Sequence, residues 1–124
     1  MVRKISETIL DFASPLLGAL PRPTDLESTK NALAMAIAAW NAVTLDRWGI
    51  AASQTGATRR ALEAMPEPGR EAALAVFDGL VERKRAQFGD DLRAVGKWEV
   101  TASAGGGFAL SVDARAPGDE GERC

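Results

Sequence analysis

Two neighbouring carboxylates, Asp90 and Asp91, are the side chains of this sequence best suited to metal chemistry. Hard cations such as Mg²⁺ prefer carboxylate oxygens, and Glu99 or Asp113 would add a further ligand. Adjacent aspartates in a turn point in different directions, however, and no third ligand follows at a diagnostic spacing. We therefore favour one aspartate as a turn cap paired with Arg93. A metal-dependent enzyme that uses Asp90, Asp91 and Asp113 stays open as an alternative, and no cofactor is predicted.

The segment from Trp40 to Trp48 combines two tryptophans with polar residues inside an apolar helix. Eight positions are slightly more than two helical turns, so both indoles lie near one face. Asn41 interrupts the apolar face, where an unpaired amide would cost about 1–3 kcal/mol. A structural interpretation makes Trp40 a core residue, bonds Asn41 to a loop backbone and places Asp46 at the helix end. A functional interpretation makes the segment a pocket or partner surface, with the two tryptophans as its floor and Asn41 and Asp46 at its entrance. Trp48, Asn41 and Asp46 would then contact the partner.

Two arginine clusters raise the alternative of a nucleic-acid-associated factor. Arg59 and Arg60 open one predicted helix, and Arg83 and Arg85 flank Lys84 in another. The formal net charge is −2, so phosphates meet no global basic field. Three successive helical residues point in directions about 100° apart, which favours a solvated face with the Lys84 stem covering core. Nucleic-acid binding requires all four arginines on one face.

Residue types that are absent exclude several reactions. The chain has no histidine, which removes imidazole catalysis, Ser-His and Cys-His pairs, and histidine-ligated metal sites. Its one cysteine, Cys124, forms no intrachain disulfide, which suits a reducing cytosol. The apolar stretch over 32–43 is shorter than the roughly 20 residues of a membrane span. We expect a cytoplasmic protein without a membrane segment, and the arginine-rich, alanine-rich composition favours a bacterial source.

Hydrophobic periodicity predicts about four helices in the first three quarters of the chain. The first runs to about Ala13, and a separate short turn begins with Ser14 as its N-cap and Pro15 as its first residue. A capping box over 24–27 starts a second, mostly apolar helix that ends near Arg47. After a loop over 49–56, helices are predicted over 58–65 and 70–88. Gly89 stands where a glycine typically ends a helix.

The period then changes from 3.6 to 2, which predicts a β-hairpin. A loop over 103–107 places Ala102 opposite Phe108, Val100 opposite Leu110 and Trp98 opposite Val112. These residues form one apolar face, and Lys97 and Glu99 point to the other side. A one-residue slip would bring Trp98 out to solvent, so this register is strongly preferred.

The sequence therefore predicts an α+β fold, in which a small helical bundle carries a C-terminal two-stranded antiparallel hairpin. Residues 1–116 are expected to form one globular domain and 117–124 a flexible polar tail. A lone ribbon is marginal in water and exposes strand edges. We predict a non-catalytic protein–protein interaction module, an accessory or adaptor subunit. Its partner, another protein or a second copy, binds the hairpin at Lys97 and Glu99 or the region of Trp48.

Overall fold

The structure, a computed structural model, describes residues 4–20, 26–49, 53–103 and 107–115. Within these ranges four helices precede two strands, which confirms the predicted α+β fold. The elements are α1 (Ile5–Gly18), α2 (Leu26–Trp48), α3 (Gln54–Glu63), α4 (Gly69–Gln87), β1 (Ala94–Ala102) and β2 (Phe108–Arg115). Among the described residues, no helix has the length and hydropathy needed to cross a bilayer.

Helix α2 is the centre of the bundle, because it contacts α1, α3, α4 and β1. Its alanines at 36, 39 and 42 are buried, and such small side chains let neighbouring helices approach closely. Trp40 is fully buried at 0% exposure, as predicted. Its ring meets those of Phe12 and Phe88 edge-on, with centroids 5.3 and 5.7 Å away. Edge-to-face aromatic contacts of this kind add to the energy of burial alone.

The predicted break in the first helix is wrong, since α1 continues through Pro15 to Gly18. Proline has no N–H, so the Asp11 carbonyl loses its normal donor inside the helix. Arg83 of α4 replaces that donor: its Nη2 lies 2.9 Å from the Asp11 carbonyl oxygen, and its Nε lies 3.1 Å from that of Phe12. A side chain from the neighbouring helix thus satisfies the backbone that Pro15 leaves open.

The third helix begins at Gln54, earlier than the predicted 58–65. Ser53 is its N-cap, and its Oγ accepts a hydrogen bond from the Gly56 N–H at 3.0 Å. Gly49, just after α2, adopts a φ of 72° in the left-handed region that favours glycine. The predicted helix over 70–88 corresponds closely to α4. Gly89 follows it as expected but keeps a negative φ, and a Cβ there would lie 2.9 Å from the Arg85 carbonyl oxygen.

The hairpin has the predicted register, with Trp98 opposite Val112, Val100 opposite Leu110 and Ala102 opposite Phe108. The apolar face packs on the bundle, where Val100 is buried and Trp98, Phe108, Leu110 and Val112 are partly buried. Nearer the start of β1, the register shifts by one residue, so Gly96 and Lys97 together face Asp113. In a regular strand, residues 95 and 98 would point to opposite faces. The β-bulge lets both Val95 and Trp98 point inward.

Three predictions concern residues outside the described ranges. These are the Thr24 end of the capping box, the tip of the hairpin loop over 104–106 and the polar tail over 117–124. Within the described ranges, buried residues of α1, α2, α4 and β1 form one continuous core cluster.

Candidate functional site

The start of β1 is bound by indole groups from the end of α2. Trp40 Nε1 donates to the Arg93 carbonyl at 2.6 Å, and Trp48 Nε1 donates to the Leu92 carbonyl at 2.8 Å. The two tryptophans therefore share one helix face, as their spacing predicts, and both face the segment that leads into the strand. Trp40 is too deeply buried to form the floor of a surface pocket. Trp48 stays partly exposed.

Asn41 completes this contact by bonding to both backbone groups of one strand residue. Its Nδ2 donates to the Val95 carbonyl at 3.0 Å, and its Oδ1 accepts from the Val95 N–H at 2.7 Å. An amide that exchanges two hydrogen bonds with a strand residue imitates the next strand of an antiparallel ladder. Asn41 thus pairs with β1, where the sequence predicted a bond to a loop.

Asp46 bonds to the start of α3. Its carboxylate oxygens accept hydrogen bonds from the backbone N–H groups of Gln54 and Thr55. Burial alone would raise the pKa of Asp46, but contacts with Thr55 and these N–H groups outweigh it, so the pKa is lowered. A negative charge at a helix N-terminus is favourable because the helix dipole is positive there. The polar groups of Asn41, Asp46 and Trp48, predicted to bind a partner, are thus bonded within the chain.

Lys84 is buried more completely than predicted: its stem covers the core as expected, but its ammonium group is buried as well. Its side chain is 1% exposed, and its Nζ donates to the carbonyls of Phe88 at 2.6 Å and Asp91 at 2.5 Å. The same Nζ lies 3.9 Å from the centre of the Trp40 ring, a cation–π contact. Position 84 continues the inward row of Phe77 and Val81, and that spacing was the available signal.

Burial lowers the pKa of Lys84 from 10.5 to about 8. The charge of Asp91 opposes this change, whereas the charges of Arg47 and Arg93 add to it. The ammonium group holds the turn between α4 and β1 from within the core. Because its ammonium group donates to the carbonyls of Phe88 and Asp91, Lys84 has a structural role in this turn.

Asp91 pairs with Arg93, as predicted, through bonds of its carboxylate to the Arg93 side chain and backbone N–H. Burial raises the pKa of Asp91, but these bonds and the nearby cations outweigh it and lower the pKa overall. Asp90 beside it is exposed, and Asp113 lies on the outer face of the hairpin. In the described part of the chain, no three acidic or cysteine side chains lie close enough together to hold a metal ion.

The four arginines of the nucleic-acid alternative have different surroundings. Arg83 binds carbonyls of α1, whereas Arg59 of α3 forms an ion pair with Asp78 of α4 at 2.5 Å. Arg60 and Arg85 are exposed. Two of the four guanidinium groups are therefore used in contacts with different helices.

Lys97 and Glu99 are exposed on the outer face of the hairpin, together with Thr101, Ala109, Ser111 and Asp113. Lys97 stands in the bulge opposite Asp113, so opposite charges face each other across the two strands. Of the predicted partner-binding residues, these two are the most accessible. No protein-family model, curated protein or solved structure shows significant similarity to this chain.

Proposed function

We propose that this protein is a non-catalytic interaction module that binds a partner chain along strand β2. The observation that carries the proposal is the difference between the two edges of the sheet. Among the described residues the sheet has the order β1–β2 with no third strand, so β2 has an open side. The outer edge of β1 is bonded to Asn41 at Val95. An open strand edge is a template for strand addition.

The hydrogen-bond pattern of the hairpin identifies the backbone groups on the open side. The Ser103 N–H donates to the Gly107 carbonyl at 3.0 Å. Bonded and non-bonded pairs alternate along an antiparallel ladder, so Phe108, Leu110 and Val112 belong to non-bonded pairs. Their N–H and C=O groups point away from β1, toward the edge where a partner strand would bind.

The side chains around this edge suit a partner of mixed polarity. Phe108, Leu110 and Val112 are partly buried and line one side. Lys97 and Glu99 are exposed on the outer face of β1, so β2 would separate them from the added strand. Asn41 and the Trp48 indole N–H fix the position of the hairpin, and Asp46 fixes the start of α3, so these residues contribute to partner binding by positioning the fold.

The two alternative functions have weaker support. Nucleic-acid binding would need Arg59 and Arg83 to leave Asp78 and the α1 carbonyls. Metal-dependent catalysis would need Asp91 to leave Arg93 and Asp113 to come from the outer face of the hairpin. As part of the proposal, we place the module in the bacterial cytosol as an accessory subunit, since its single cysteine leaves no intrachain disulfide.

Photo-crosslinking in cells of the source organism tests the proposal. Benzoylphenylalanine would replace Ser111 at the middle of β2, and the adducts would be identified by mass spectrometry. Matched probes would replace Thr101 on β1 and Glu82 on the exposed side of α4. We expect a protein adduct from position 111 and little or none from position 82. Adducts formed only from position 82, or none from position 111, would contradict partner binding along β2.

A further inference from the structure

We propose that the partner strand is β2 of a second copy, so that two hairpins form one four-stranded antiparallel sheet. This inference rests on the proposed function and names the occupant of its binding edge. The two β2 strands would be related by a two-fold axis at Ser111. The sheet order would then be β1–β2–β2′–β1′, where a prime marks the second copy.

The alternation of β2 selects this register. Inward-facing side chains of the two strands lie on the same side only if even-numbered residues are opposite even-numbered ones and odd-numbered residues are opposite odd-numbered ones. This condition leaves a few two-fold registers. Centring on Ser111 uses almost the whole strand. Leu110 then faces Val112′, and Phe108 faces Ala114′. These even-numbered residues direct their backbone groups to the open edge, so they form the hydrogen-bonded pairs of the new ladder.

The charges of the outer face agree with the same register. Asp113 would face Ala109′, and Ser111 would face its own symmetry mate. Lys97 already faces Asp113 within one copy. In the described part of the combined sheet, no two like charges stand directly opposite each other, an arrangement that would destabilise the pairing.

The two strands differ in the features that normally prevent pairing. Strand β1 has a bulge at Gly96 and Lys97, and Asn41 occupies its edge at Val95. Bulges, lysines and covering side chains are the usual protection of an edge strand. Strand β2, Phe108–Arg115, contains no proline, glycine or lysine and is regular throughout the described register. Self-association is therefore directed to β2.

Disulfide trapping tests the register. With Cys124 replaced by serine, Ser111→Cys places two thiols in a non-hydrogen-bonded pair, about 4.5 Å apart at Cα, which suits a disulfide. We expect oxidation to convert most of this variant to a covalent dimer. Ala109→Cys and Thr101→Cys, equally exposed, should stay largely monomeric, because neither position meets its own symmetry mate. Equal yields from all three would overturn the register.

Sedimentation equilibrium tests the association itself. The unmodified chain should form dimers, and Ser111→Lys should weaken the dimer at least fivefold, because it places two like charges face to face. Thr101→Lys should leave the dissociation constant unchanged, and near-ultraviolet circular dichroism would verify that both variants fold. A wild-type chain that stays monomeric at the highest soluble concentration would overturn the second-copy proposal. If position 111 nevertheless crosslinks to a different protein in cells, the proposed function stands and only this inference fails.

Discussion

The two strands of the hairpin are held by different means. Side chains of α2 bond to the backbone at the start of β1 and just before it: Asn41 to Val95, Trp40 to Arg93 and Trp48 to Leu92. Strand β2 contacts α1 and pairs with β1, and its apolar side chains rest on the core. Strand β1 is thus anchored to the bundle at its start by bonds to its backbone, whereas β2 is held by strand pairing and by apolar side-chain contacts.

This difference gives a reason for the polar residues in the most apolar helix. A strand that packs against a helix leaves backbone groups that need partners, and an unmet group costs about 1–3 kcal/mol. Asn41 meets that need at Val95 of β1, and the two indoles meet it at Leu92 and Arg93, which lead into the strand. The Asn41 bonds and the bulge therefore protect the first part of β1, and β2, which carries neither, is the edge that we propose for association.

The largest effect is expected from Trp40→Ala, which removes a fully buried ring and the donor to the Arg93 carbonyl. The free energy of unfolding should fall by roughly 3–5 kcal/mol, measured by urea denaturation. Trp40→Phe keeps an aromatic ring but not the N–H, so it should cost clearly less. A loss under about 1 kcal/mol for the alanine variant would show that the ring is not central to the core.

Asn41→Ala tests the bonded edge of β1. Two backbone groups of Val95 lose their partner, so the free energy of unfolding should fall by about 2 kcal/mol. Asn31→Ala provides the control in the same helix, because Asn31 is exposed and should cost under about 0.5 kcal/mol. Similar losses for the two variants would remove the distinction between the strands.

Periodicity was enough to predict the helices, the hairpin and its register, since each has one apolar face. It failed at Pro15, because the compensating donor, Arg83, comes from a distant part of the chain. It failed at the start of α3 for a similar reason: Asp46 caps a helix that lies several residues later. The site was the hardest part to predict. The sequence singles out Asn41, Asp46 and Trp48, but whether a polar group faces a partner or its own backbone depends on tertiary contacts.

Lys84 should give the protein an unusual dependence on pH. Its pKa in the folded protein, about 8, lies below its ordinary value of 10.5. Between these values the unfolded chain binds a proton that the folded chain has released. The free energy of unfolding should therefore increase with pH across this window, by up to about 1.4 kcal/mol per pH unit.

Denaturation of Lys84→Met at several pH values would check this slope. The variant should show a flatter profile from pH 8 to 10.5, and exposed Lys97→Met should keep the wild-type slope. The window is favourable because the chain has no histidine and no tyrosine. Equal slopes in the wild type and Lys84→Met would mean that the ammonium group is not desolvated by the core.

The smallest effect concerns the free edge and is visible only in association. In the register centred on Ser111, residue 109 of each copy faces Asp113 of the other. Ala109→Lys would then form two ion pairs across the interface, whereas Ala109→Asp would oppose two carboxylates. Cross-strand charge pairs contribute roughly 0.2–1 kcal/mol each, so two attractive pairs and two repulsive pairs should make the two dimers differ about fourfold or more in dissociation constant. Within one copy, Ala109 faces the neutral Thr101, so the monomer should change little in stability. Sedimentation equilibrium measures the constants, and urea denaturation verifies the monomers. Charge variants that associate equally would place the contact elsewhere. A tighter dimer for Ala109→Asp than for Ala109→Lys would contradict the register centred on Ser111.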